Sequence, residues 1–182
     1  IIDGSPTEGA LHVAALKAGI TKEQLASQFT ILKEFPFDST RKLMSVIVKD
    51  ENGRMFVVTK GAPDVLMQRC KSILWDEKVQ SLSSQTTQNV QDAIDGLASQ
   101  ALRTIAVAYK SISSNDSYIS EKSVENELTF IGLQGIIDPP RPEVKDAVSE
   151  CRKAGIKTIM ITGDHVITAK AIAKQLGIMK RN

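Results

Sequence analysis

Cysteine is scarce: the 182 residues hold two, Cys70 and Cys151. They lie far apart and each reads as part of an apolar helical stretch. That excludes a disulfide framework or a cysteine metal site and places both thiols, reduced, in the core of a cytosolic protein. A dominant charge is lacking too. Lys and Arg number 23 against 21 Asp and Glu, a formal charge of +2, which argues against a nucleic-acid clamp or a polybasic membrane patch. No apolar run approaches the roughly 18 residues of a membrane span, and no signal peptide opens the chain. The first residue is Ile1, so an excised piece of a longer protein is expected. The phosphate-binding G-x-x-x-x-G-K-[ST] loop, the G-x-G-x-x-G turn, the G-x-S-x-G elbow and metal-spaced His/Cys sets are all missing. His12 and His165 stand far apart, and each is expected to be a surface or capping residue.

What is present is the material for a packed core, 42% hydrophobic residues, enough for one generous domain or a small one with part of a second. Ser5-Pro6-Thr7-Glu8 has the form of a capped helix start, with Gly19 as the stop. Thr21 to Gln24 repeats the capping-box spacing. From Phe29 the period becomes extended, and Leu43–Lys49 and Arg54–Lys60 flank Asn52-Gly53, a strong hairpin signal. Gly61-Ala62-Pro63 ends that strand and opens a helix through Met67. A helix is expected over Ser83–Gln100, a strand over Thr104–Tyr109 and a polar surface loop over Ser111–Asn126. Thereafter Leu128–Ile137 reads as strand, Pro142–Ala154 as helix, Ile156–Ile161 as strand and Val166–Leu176 as helix. This βαβα order predicts a parallel sheet after a hairpin-rich, antiparallel first part. A hinge is expected at Asp138-Pro139-Pro140-Arg141, where two prolines stiffen the connection.

Four segments carry chemistry. In Phe35-Pro36-Phe37-Asp38-Ser39-Thr40-Arg41-Lys42, an aromatic followed by cations offers a stacking face for a base and charge for phosphates. The alternative is two core phenylalanines with solvated cations. In Lys60-Gly61-Ala62-Pro63-Asp64, a lysine ends a strand before a glycine that lets a ligand approach the backbone. Arg103 enters a strand. Thr162-Gly163-Asp164 follows a strand expected to be parallel, where ligands gather and a helix N-terminus favours an anion.

Taken in order, PTEGAL, FPFDSTRKLMSV, KGAPD, ALRTIAVAY, DPPRPEV and MITGDHVITAKAIA resemble the cytoplasmic region of P-type cation-transporting ATPases, most closely the calcium-pump-like branch. The resemblance runs almost the whole length. It implies an α/β fold in two parts: residues 1–129 as an α+β nucleotide-binding domain, truncated at its start, with an antiparallel sheet and flanking helices, and residues 130–182 as a partial βαβα segment of a haloacid-dehalogenase-like phosphorylation domain. It implies ATP as ligand, with magnesium in the full-length enzyme. Carried over by position, Phe37 resembles the aromatic that stacks on adenine and Glu8 the carboxylate that reads its amino group. Lys42 and Lys60 resemble the pocket lysines, Gly61 and Ala62 the pocket wall, and Arg103 the arginine that reaches the phosphates. Thr162, Gly163 and Asp164 resemble the motif beside the acyl phosphate, and Asp138 and Arg141 the hinge motif.

Departures from the family pattern set the remaining expectations. The phosphorylated aspartate of the Asp-Lys-Thr-Gly-Thr motif and the later magnesium-holding motif are absent from this sequence. No catalytic residue and no metal ligand is therefore assigned. Asp64 stands where glutamate is usual, and Gly4-Ser5 where Gly-Asp is common. The resemblance implies a soluble fragment from the cytoplasmic face of a membrane, whose partners are ATP or ADP and the remaining phosphorylation, actuator and transmembrane domains of one pump, without nucleic acid. Two rival readings exist. Ile1-Ile2-Asp3-Gly4-Ser5-Pro6-Thr7 superficially resembles a phosphoryl-accepting motif, which would make the chain a phosphatase using Asp3, although Pro6 and the capping box fit a helix start better. The other rival is a non-catalytic interaction module.

Overall fold

The fold was obtained as a computed structural model, which describes residues 6–113, 120–137, 140–163 and 166–179. They group into two compact units, Ile1–Thr87 with Ile105–Gln134, and Gln88–Thr104 with Gly135–Asn182. The expected helix cap at Ser5, Asp3, the hinge residues Asp138 and Pro139, and Asp164-His165 lie outside the described residues.

The first unit begins with two helices, α1 (Pro6–Lys17) and α2 (Lys22–Gln28). Thr21 caps α2 as its spacing predicts: its hydroxyl accepts from the Gln24 amide, and the Gln24 side chain accepts from the Thr21 amide. A seven-stranded sheet follows, built from β1 (Phe29–Asp38), β2 (Leu43–Asp50), β3 (Met55–Gly61), β4 (Cys70–Trp75), β5 (Lys78–Ser81), β6 (Arg103–Ile112) and β7 (Leu128–Ile136). Its spatial order is β1-β2-β3-β6-β7-β4-β5. The first four strands in that order pair antiparallel, while β4 and β7 run parallel. The sheet is thus mixed rather than antiparallel throughout.

The β2–β3 hairpin forms at Asn52-Gly53. Gly53 takes a φ of 81°, which glycine adopts without a Cβ clash, and its amide donates to the Asp50 carbonyl at 3.0 Å. The Asp50 carboxylate accepts from the amides of Asn52 and Arg54 and from the Arg54 guanidinium. Pro63 then opens the short helix α3 (Pro63–Met67), with Ala62 at its N-cap. One face of the sheet is dry. Leu43, Ile47, Val57, Ala106 and Ala108 are essentially inaccessible, and Phe35, Ile47 and Val57 cluster with Val124.

Two sequence expectations need correction in this unit, and one element lies outside them. Cys70 opens a strand instead of sitting in a helix. The β4–β5 hairpin was not foreseen. The 111–126 stretch is no uniform surface loop, because its described part carries a short helix, α5 (Glu121–Val124), with Val124 and Glu125 buried.

The second unit holds most of α4 (Ser84–Ser99), with α6 (Pro142–Lys153) and α7 (Val166–Gln175). Gly135 admits Leu97 and Leu102, either of which would lie 3.1 Å from an added Cβ. The Arg152 guanidinium donates to the Gly177 carbonyl, tying α6 to the turn after α7. The strand expected over Ile156–Ile161 does not form: the segment pairs with no strand among the described residues. Its isoleucines stay in solvent, Ile161 at 95% exposure. A buried parallel strand needs ladder partners and cover on both faces, and an apolar pattern alone supplies neither.

Candidate functional site

The β1–β2 turn is built by Asp38. Its carboxylate accepts from the Thr40 amide at 3.0 Å and the Arg41 amide at 2.8 Å, an arrangement aspartate favours in turns. Its carbonyl accepts from the Lys42 amide at 2.6 Å. Lys42 is left-handed, with φ 56°. Its carbonyl turns toward the end of β3 and accepts from the Ala62 amide at 3.1 Å. This brings Lys42, Gly61 and Ala62 together. The room that Gly61 leaves is filled by the neighbouring strand, since an added Cβ would stand 2.3 Å from the Lys42 carbonyl oxygen. Close backbone packing therefore requires glycine here, whatever a ligand requires.

Pleating sorts the remaining side chains, because paired residues share a face and successive ones alternate. Lys60 pairs with Met44 and Val107, on the face opposite the dry one. There its ammonium forms an ion pair with Glu8 of α1. Two expected site residues, 52 positions apart in sequence, are thus in direct contact. Phe37 joins this face through a bulge. Between the pairs Phe35–Ser45 and Asp38–Leu43, β1 spends one residue more than β2, which reverses the alternation. Phe35 consequently enters the core, and Phe37 is left 63% exposed. The two phenylalanines have different roles.

On the dry face the structure holds a cluster that the sequence did not disclose. The Arg41 guanidinium donates to the carbonyls of Pro36 at 2.7 Å and Leu43 at 3.1 Å. It also lies 3.0 Å from Glu121 and 3.3 Å from the buried Glu125. Glu125 accepts from the Ser45 hydroxyl at 2.6 Å, and Ser45 meets Thr59 at 2.9 Å. Arg41 is therefore not a solvated cation for phosphates. Its charge is spent on two carboxylates, and removing one partner of such a buried pair costs about 3–5 kcal/mol. The only advance signal was the spacing of Glu121 and Glu125, one helical turn apart.

The other expected residues are placed separately. Arg103 is exposed at the start of β6, three residues before Ala106, which pairs with Gly61. In the second unit, Thr162 and Gly163 are exposed in the segment before α7, and Arg141 sits at the N-cap of α6. A hollow of about 690 Å³ lies between residues 157–162 and α7, lined mainly by apolar side chains such as Ile159, Ile161 and Val166. Asp164 is outside the described residues.

The mixed sheet with helices beside it is an α/β domain, and comparison with known sequences gives its family. The family described as P-type ATPase, cytoplasmic domain N, matches residues 1–143; the chain belongs to it. It is 52% identical over its full length to the calcium-transporting ATPase of Bacillus subtilis (strain 168), covering 20% of that protein. It is 46% identical over 97% of its length to calcium-transporting ATPase 1 of Lactococcus lactis, again covering 20%. A sodium/potassium-exporting P-type ATPase of Schizosaccharomyces pombe is 39% identical over 98% of the chain, which covers 17% of it. The chain thus spans about a fifth of the length of the curated relatives it matches. Among the described residues, no helix is long and apolar enough to cross a membrane.

Proposed function

We propose that the chain is the ATP-binding portion of a P-type ATPase that couples ATP hydrolysis, through an aspartyl phosphate, to cation transport, with calcium as the cation. Residues 1–129 would form the nucleotide-binding part and 130–182 a piece of the phosphorylation domain. The observation that carries this reading is the convergence of Glu8, Lys60 and exposed Phe37 on one sheet face. Phe37 would stack on adenine and Glu8 would accept from the adenine amino group. Lys42, Lys60 and Arg103 would bring positive charge to the phosphates beside the Gly61-Ala62 wall. Thr162, Gly163 and Asp164 would border the phosphorylation site of the parent enzyme. Glu8 is half exposed, and an exposed ion pair is worth about 0–1 kcal/mol. A nucleotide can therefore separate Glu8 from Lys60 at little cost.

When bound, ATP supplies the phosphoryl group and magnesium neutralises its oxygens in the parent enzyme. The residues of this chain bind and orient the base. The remaining domains of the pump and its membrane segments would be the partners, on the cytoplasmic face. Titration of the purified chain with ATP, ADP and ATP plus magnesium, followed by chemical shift, tests the reading. Binding on the order of 0.1–10 mM is expected, similar for ATP and ADP and nearly independent of magnesium, with no turnover. Phe37→Ala should weaken it about tenfold, since a stacked base is worth about 1–3 kcal/mol. Glu8→Gln should erase the preference for ATP over GTP. Submicromolar, strictly magnesium-dependent binding, or turnover lost in Asp3→Asn, would overturn the proposal.

A further inference from the structure

We propose that Arg41 is a positioning residue, held by Glu125, that fixes Phe37 and Lys42 for nucleotide from the opposite side of the sheet; this rests on the nucleotide reading above. The geometry is specific. The guanidinium binds the carbonyl before Phe37, that of Pro36, and the carbonyl after Lys42, that of Leu43. It thereby clamps the two ends of the turn that carries both side chains. The clamp is anchored outside the turn by Glu121 and Glu125.

The Glu125 end of that anchor is itself tied into the sheet. Val124 is packed against Phe35, Ile47 and Val57. The Lys110 ammonium donates to the carbonyls of Ser123 at 2.7 Å and Asn126 at 2.8 Å. Ser45 donates to Glu125 from the middle of β2. Glu125 lies on the dry face, so it cannot touch a base stacked on Phe37 and acts only through Arg41. A turn fixed before binding spares the ligand the entropy of ordering it.

The test compares wild type with Arg41→Ala and Glu125→Gln, titrated with ATP and with adenosine. Loss of the clamp should weaken both ligands by the same factor, about tenfold, comparable to ordering about one backbone residue. A phosphate contact by Arg41 would instead spare adenosine. Arg41→Lys should not restore affinity, because one ammonium cannot span two carbonyls and two carboxylates. Amide and ring resonances of residues 37–42, recorded without ligand, should shift and broaden in Arg41→Ala and Glu125→Gln. A purely structural role would lower the melting temperature and leave the affinity of the folded molecules unchanged. Unchanged turn resonances, or ATP affinity equal to wild type in folded Arg41→Ala, would refute the inference. Failure of the wild-type chain to bind ATP at all would refute the nucleotide reading, and the ligand-free spectra would still decide whether Arg41 clamps the turn.

Discussion

Gly61→Ala is a severe test of how the β2–β3 junction is built. The new Cβ would lie 2.3 Å from the Lys42 carbonyl oxygen, 2.7 Å from Leu43 Cδ2 and 3.0 Å from Leu43 Cα. Two of these atoms are backbone, and Leu43 is completely buried, so no flexible end can swing aside. Overpacking of this kind costs about 1–3 kcal/mol. Relief requires β2 to move from the end of β3, which stretches the 3.1 Å bond from Ala62 to Lys42 and forfeits about 0.5–1.5 kcal/mol. The sum is about 2–4 kcal/mol. At about 2–4 °C per kcal/mol for a chain of this size, the melting temperature should fall by about 4–16 °C. Thermal unfolding followed by circular dichroism measures it directly. A melting point within about 1 °C of wild type would mean that the close approach at Gly61 is wrong, and with it the placement of Lys42 beside Ala62.

Gly96→Ala should do the opposite: Gly96 lies inside α4 with nothing within 4 Å of its added Cβ. The gain in helix propensity is about 0.5–1 kcal/mol, read as a rise of about 1–4 °C in the same melt. Asp50 predicts a limb of acid sensitivity. Burial pushes its carboxyl up, but the Arg54 side chain and the amides of Arg54 and Asn52 outweigh that and hold it below its ordinary value of 3.8. A depressed folded value stabilises above the unfolded one and is lost as pH falls through the folded one. Denaturant titrations at pH 5 down to 2.5 should therefore show a loss of stability below about pH 4 that is smaller in Asp50→Asn; equal slopes would refute it. Cys70 should resist alkylation, because burial pushes its thiol up to about 12 and Sγ donates to the Leu66 carbonyl at 3.2 Å. At pH 8 roughly one molecule in ten thousand carries its thiolate. Peptide mapping after iodoacetamide treatment should find Cys70 unmodified in the native chain and labelled in urea.

Signals written in a few neighbouring residues were legible. The Thr21–Gln24 box, the Asn52-Gly53 turn and the proline that opens α3 each act over less than one helical turn, and each forms where the spacing places it. The β4–β5 hairpin was not legible because its turn uses Asp76 and Glu77 at φ 50° and 61°, without the glycine or asparagine that usually marks positive φ. The segment 156–161 fails for the opposite reason. Its pattern is that of a buried strand, but a strand exists only as part of a ladder. At the site, Phe37 and Lys60 were visible as residue types, whereas their shared face depends on a bulge and a register. The spacing of Glu121 and Glu125 hints at a helical turn, but what Glu125 meets does not show in the sequence, since its contact with Ser45 spans 80 positions.

The sheet pleat places two kinds of charge pair on opposite faces, and their energies differ. Thr59 and Lys60 are adjacent in β3, as are Met44 and Ser45 in β2, so each strand feeds both faces at once. On the dry face, Arg41 and Glu125 are 15% and 4% exposed, and removing either partner costs about 3–5 kcal/mol. On the other face, Glu8 is 52% exposed, and its pair with Lys60 is worth about 0–1 kcal/mol. A ligand that contributes a few kcal/mol can therefore reorganise the Glu8–Lys60 side without disturbing the Arg41–Glu125 side. The exposed pair and the buried one thus lie on opposite faces of the sheet. On the nucleotide reading, that arrangement would let the β1–β2 turn hold its shape while the groups beside it change partners.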